Sequence, residues 1–190
     1  MEKIMCYNRK NMVMKRIMLV ALIAITMAGV SQARDTEISV SYGAFPAMDH
    51  MSVYSDSWNG MNHSWGTASF TIDHRFASRL WVGLSYTFSS ASSSDVKGGL
   101  GGDETWHGLL VNARYEWFNR SSLTLYSHCG VGVVVSYLSP QWEPSYNESR
   151  FGFQVSPVGV QWDVSRYAGL FAECGYGVQG VLKVGVRVGF

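Results

Sequence analysis

Beyond residue 33 the chain alternates apolar and polar residues, and the apolar set often holds its phase for about ten residues. A period of two sends successive side chains to opposite faces of a β-strand, so each stretch predicts a strand with one apolar face. The first opposes Ile38, Val40, Tyr42 and Ala44 to Glu37, Ser39, Ser41 and Gly43. The second sets Ala68, Phe70 and Ile72 against Thr67, Ser69, Thr71, Asp73 and Arg75. Leu80 to Phe88 and Leu109 to Trp117 repeat the pattern, and Leu123 to Tyr137 extends it. In the sixth segment Phe151, Phe153 and Val155 lead to Val158, Val160 and Trp162, with a slip of one residue at Pro157, where a β-bulge tolerates proline. Leu170 to Tyr176 and Leu182 to Phe190 complete eight segments.

The connections alternate in length. Those at Phe76–Arg79, Phe118–Ser122 and Asp163–Tyr167 are short, whereas Pro46–Ser64, Ser89–Glu104 and Leu138–Ser149 are long. Only the connection near Val178-Gln179-Gly180 departs from this rule. Eight strands of about 9–11 residues or more, with short turns at one end and long loops at the other, are the plan of a membrane-spanning barrel. The expected fold is all-β, an eight-stranded antiparallel up-and-down transmembrane barrel over residues 34–190, with both ends of the mature chain periplasmic.

Composition decides which face meets water. Charged residues make up 15% of the chain and aromatics 14%, where a soluble domain carries about 25% charged residues. A soluble eight-stranded barrel or a β-sandwich would turn its apolar faces inward. The apolar face here is too large and aromatic for a small interior, and the opposite face is rich in Gly, Ser and Thr with charges of both signs. The apolar face is therefore assigned to lipid.

The N-terminus reads as an export signal. Lys15-Arg16 precedes the apolar run Ile17 to Val30, and Ser31 and Ala33 place small residues at a cleavage site. The run is shorter than the about 20 residues a membrane helix needs. Residues 1–33 are expected to be a cleaved signal peptide, with a possible true start at Met14. Its removal leaves 10 basic and 13 acidic residues. That mild acidity opposes a nucleic-acid partner.

Architecture, the segments Phe153-Gln154-Val155-Ser156-Pro157 and Leu170 to Gly177, and the terminal Phe190 together resemble the small single-domain outer-membrane β-barrels of OmpA/OmpX type. The resemblance covers nearly all of residues 35–190. It implies residence in the outer membrane of a Gram-negative bacterium, in contact with outer-membrane lipid and lipopolysaccharide. It also implies that Phe190 is read by the insertion machinery during biogenesis.

The polar face gathers Glu37, Asp73, Glu116, Asp163 and Glu173 against Arg75, Arg114, Lys183 and Arg187. An eight-stranded barrel is just wide enough for side chains to fill it, and buried charge must be paired. A salt-bridge network that plugs the interior is expected; a narrow ion or solute path is the alternative. A lipid A-modifying acyltransferase is a weaker reading: His50 and His63 in the first loop and Ser94-Asp95 in the second could supply acid–base or nucleophilic chemistry. A deacylase reading through His128 is weaker still, because His128 falls on the lumen face without a His-x-Ser pattern.

Cys129 and Cys174 fall on the apolar face two strands apart, about 10 Å, too far for a disulfide. No spacing suggests a metal or cofactor. Trp81, Trp117, Trp162, Tyr137 and Tyr176 are assigned to interface belts. Trp58, Trp65, Trp106, Trp142 and Tyr146 are the loop residues expected to contact an outside ligand. The expected function is non-enzymatic: a structural or surface-interaction barrel with a closed lumen.

Overall fold

A computed structural model describes residues 35–51, 63–93, 102–140 and 144–190. The expected signal peptide, residues 1–33, lies outside them, as do Trp58, Ser94, Asp95 and Trp142. The elements are β1 (Thr36–Ala44), a single helical turn α1 (Met48–Met51), β2 (His63–Ala77), β3 (Leu80–Ser93), β4 (Gly102–Arg120), β5 (Leu123–Pro140), β6 (Tyr146–Asp163), β7 (Ala168–Gly177) and β8 (Leu182–Gly189). Each strand pairs antiparallel with its neighbours in sequence, and β1 pairs with β8 to close the barrel. Closure leaves the body of the barrel without an edge.

The alternation read from the sequence becomes an inside and an outside. Val40, Leu84, Leu109, Val111, Val131, Val133 and Phe151 all face outward and are each more than half exposed. Their partners in alternation, such as Ser39, Thr71, Ser85, Asn112 and Gln154, are buried within the barrel. The polarity of a soluble protein is thus inverted. The expected slip at Pro157 is present: the β6–β7 register shifts between Val155 and Val158, and the β5–β6 register shifts between Tyr126 and His128. Absorbing one extra residue there keeps Val158, Val160 and Trp162 on the outer face.

Several strands are longer than alternation predicts. β4, β5 and β6 run for 19, 18 and 18 residues, against 9 for β1 and 8 for β8. Short turns tie the strands level at one end, so the excess stands at the loop end as a wall. Its outward residues, such as Thr105, Ser139 and Asn147, are polar. Both faces of the strand ends are therefore polar at intervals, which erased the period-two signal and made Ser89–Glu104 and Leu138–Ser149 read as loops.

Candidate functional site

The interior changes character along its axis, and β4 alone shows the sequence of layers. From the turn end to the loop end its inward residues are Glu116, Arg114, Asn112, Leu110, Gly108, Trp106 and Glu104. Charge gives way to amide, then to an apolar layer, with a carboxyl at the mouth.

At the turn end the charged residues converge. Arg114 donates to Glu37 at 2.5 Å and has Glu116 at 3.6 Å, while the Arg187 Nε lies 3.5 Å from the same Glu37 carboxylate. Arg114 and Arg187 both donate to the Gln161 side-chain oxygen. A second group centres on Glu173: the Lys183 ammonium lies at 2.7 Å, the His128 Nδ1 at 3.2 Å, and the Tyr126 hydroxyl donates at 3.0 Å. Aromatic faces fill the spaces between these charges. The Arg75 and Arg114 guanidiniums each sit 4.6 Å from the centre of the Trp81 ring, and Arg187 sits 4.5 Å from that of Phe171. Such contacts offset part of the desolvation of a guanidinium that cannot lose its proton.

Of the nine charges expected inside, Glu37, Asp73, Arg114, Glu116, Glu173, Lys183 and Arg187 are buried. Arg75 and Asp163 are half-buried at the turn end, with Asp163 accepting a hydrogen bond from Gln161. Sequence reasoning missed the neutral members. Gln179 is the chief of these: its amide donates to Ser85 at 2.8 Å, its side-chain oxygen accepts from Lys183 at 2.8 Å, and its backbone N–H donates to Gln154 at 2.9 Å. It belongs to the short β7–β8 turn, which folds into the barrel mouth and carries Val178 in with it.

Above the charges lies an apolar cluster of Met48, Ala91, Trp106, Leu110, Val134, Leu138 and Val178. Two of its members arrive from connections: Met48 from α1 and Val178 from the β7–β8 turn. These segments are joined by a hydrogen bond from the Ala47 N–H to the Gly177 carbonyl at 2.9 Å and from the Val181 N–H to the Ala44 carbonyl at 2.8 Å.

Two tryptophan assignments are corrected. Trp106, expected to be a loop contact, is a wholly buried member of this cluster on β4. Trp81, expected in an interface belt, is 1% exposed and lines the charged layer, because it occupies the inward phase of β3. The other belt residues, Trp117, Trp162, Tyr137 and Tyr176, are exposed on the outer face, and so are the expected contacts Trp65 and Tyr146. The outer face also holds an aromatic row not seen in the sequence. Tyr42, Trp65, Phe88, His107 and Tyr137 follow one another at ring spacings of 5.2–6.2 Å, and the Tyr86 hydroxyl meets His107 Nδ1 at 2.6 Å.

The residues considered for catalysis do not assemble in the described part of the chain. Ser94 and Asp95 lie outside it, as do the side chains of His50 and His63. His128 is buried and committed to Glu173. Cys129 and Cys174 are exposed free thiols on the outer face.

The chain is similar in structure to Neisserial surface protein A, with a TM-score of 0.51 at 13% identity over 82% of this chain and 96% of that one. It is also similar to the N-terminal β-barrel domain of Pseudomonas aeruginosa OprF (TM-score 0.49, 14% identity, 83% and 98% covered). A third similar structure is Ail, the attachment invasion locus protein of Yersinia pestis, in complex with the heparin analogue sucrose octasulfate (TM-score 0.48, 14% identity, 82% and 94% covered). No protein-family model matches the chain, and no curated protein sequence does either. The fold is the closed eight-stranded barrel found in small outer-membrane proteins.

Proposed function

We propose that this chain is an integral outer-membrane protein with a sealed interior, acting without catalysis as a structural and surface-interaction barrel. The observation that carries the reading is its inverted polarity: a continuous apolar outside around an inside filled with paired charge. Exposed apolar surface on this scale is stable only against lipid. Buried charge within the barrel would be ruinous unpaired, and the mutual pairing of Glu37, Arg114, Glu116, Arg187, Glu173 and Lys183 occupies the space a pore would need. The apolar cluster above them closes the same path a second time. Export is assigned to the signal-like residues 1–33, and insertion to the terminal strand with Phe190.

The interaction surface is the wall that β4, β5 and β6 raise at the loop end. A strand of 18 residues at ~3.3 Å per residue and ~40° tilt rises about 45 Å, against an apolar band of about 25 Å. Tyr146 to Gly152 of β6 pair with β5 on one side and with no described strand on the other. Tyr146 is exposed there, beside the Glu148–Arg150 ion pair at 2.6 Å. The loop-end sequence carries Asp49, Asp56, Asp95, Asp103, Glu104, Glu143 and Glu148 against Lys97 and Arg150. Asp49 and Glu104 are buried, and the remaining acidic excess of this sequence favours cationic partners.

The test is physical. Refolded protein should migrate faster on an unheated gel than after boiling, and should be silent in planar bilayers. Steady conductance steps that vanish on changing Arg114 or Glu116 would establish the channel reading instead. Lipid A of unaltered mass in cells with and without the gene is the expected result for a barrel that performs no lipid chemistry.

A further inference from the structure

Each of the three short turns has one arginine in it or at its edge. Arg79 lies in the turn from β2 to β3, Arg120 ends β4 just before the turn to β5, and Arg166 lies in the turn from β6 to β7. All three are exposed, and among the described residues none has an ion-pair or hydrogen-bond partner for its side chain. Nearby carboxylates are engaged elsewhere: Glu116 turns inward to Arg114, and Asp163 accepts from Gln161. Asp35, beside the start of β1, is a further exposed carboxylate at this end among the described residues.

An exposed aromatic accompanies every one of these arginines. Phe76 near the end of β2 precedes Arg79, Phe118 precedes Arg120, and Tyr167 follows Arg166; their exposures are 78%, 40% and 56%. Just above them on the outer face stand Tyr115, Trp117 and Trp162, where the apolar band ends. Guanidinium groups thus form a collar at one depth, immediately below an aromatic girdle. At the loop end the described surface charges are Asp103 and Glu148 against Arg150, with Asp49 and Glu104 buried.

We propose that this collar binds the headgroup phosphates of inner-leaflet glycerophospholipids, one at each turn. The proposal rests on the membrane reading above. Two strands separate successive turns, about 10 Å along the ring, so the three arginines are spaced around the rim as separate cations. A leaflet presents many separate phosphates at a single depth, which is what three separate cations at one depth require. The guanidinium fork takes two phosphate oxygens at once and is more weakly hydrated than an ammonium, while the neighbouring ring settles at the glycerol level.

The experiment uses the refolded protein in a neutral detergent, with phosphatidylglycerol added and bound lipids counted by native mass spectrometry. Wild type should retain up to three, with inorganic phosphate failing to displace them and uncharged diacylglycerol failing to replace them. The triple variant R79Q/R120Q/R166Q should hold lipid about fivefold more weakly at each of the three sites, the loss of one membrane-surface arginine apiece. Unchanged retention by that variant, or equal retention of diacylglycerol, overturns the proposal. Should the triple variant fail to fold, the single variants R79Q, R120Q and R166Q should each lose one lipid of the three, and loss of none overturns it equally. Heat-modifiable gel mobility is scored in parallel. A wild type that lacks it and stays soluble without detergent refutes the membrane reading, whereas a proper barrel indifferent to phosphatidylglycerol refutes the collar alone.

Discussion

Arg114 and Glu37 meet at 2.5 Å inside the barrel across 77 residues of sequence, and neither side chain is more than 6% exposed. The pair links the first strand to the fourth through the lumen, a connection that the hydrogen-bonded ladder does not make. Removing one member leaves the other charged and dry, which costs more than the pair itself contributes. Arg114→Met should therefore destabilise the barrel by about 3–5 kcal/mol in urea unfolding from detergent micelles. Adding Glu37→Gln to that variant should recover part of the loss, and a double-mutant cycle measures the coupling. Additive effects of the two changes would show that the contact contributes nothing of its own.

Trp106 fills the apolar layer above these charges and is wholly enclosed. Trp106→Ala should open a cavity that its strand-borne neighbours cannot close, costing about 3–5 kcal/mol. Tyr146→Ala, at an exposed ring on the projecting wall, should stay within about 0.5 kcal/mol. Comparing the two by unfolding separates a packing role for Trp106 from the ligand contact expected of it.

How legible the molecule was depends on which phase a residue occupies. The strand count, the closed antiparallel order and the bulge at Pro157 all followed from alternation, because lipid outside and polar groups inside impose it on every turn of the pleat. Trp81 shows where this reasoning stops. It stands in the inward phase of β3, opposite Leu80 and Val82, yet its residue type suggested the membrane interface; phase was the stronger signal. Leu110, Val134 and Leu138 were hidden for the converse reason: they are apolar residues at inward positions, so the apolar cluster looked like noise in the alternation. The role of Gln179 could not be read at all, since a four-residue connection gives no sign of whether it folds outward or into the mouth.

Gln179 also makes the seal testable. An alanine there removes the bonds to Ser85 and Lys183 and leaves the Lys183 ammonium with Glu173 alone. Each such lost bond costs about 1–3 kcal/mol when its partner stays buried. Gly43→Ala attacks the same turn from below, because a Cβ there would collide with the Gln179 carbonyl oxygen. Both variants should show brief conductance openings in planar bilayers where the wild type is silent. Continued silence from both would mean that the apolar cluster and the charged layer seal the barrel without the turn.

The outer face yields the most direct test of where the barrel lives. Leu84, Val111 and Val131 pair side by side across β3, β4 and β5, and each is 54% exposed, well between the two aromatic belts. On a soluble protein an exposed valine changed to arginine is nearly neutral, within about 0.5 kcal/mol. At the middle of a bilayer the same change costs about 2–4 kcal/mol, falling toward zero at the interface. Val111→Arg should therefore lower folding stability in lipid vesicles by that larger amount. Trp162→Arg, at the turn-end belt, should cost less, because its guanidinium can reach the headgroups. A depth-dependent penalty of this form requires a hydrocarbon layer around β4, and equal small penalties at both positions would place the outer face in water.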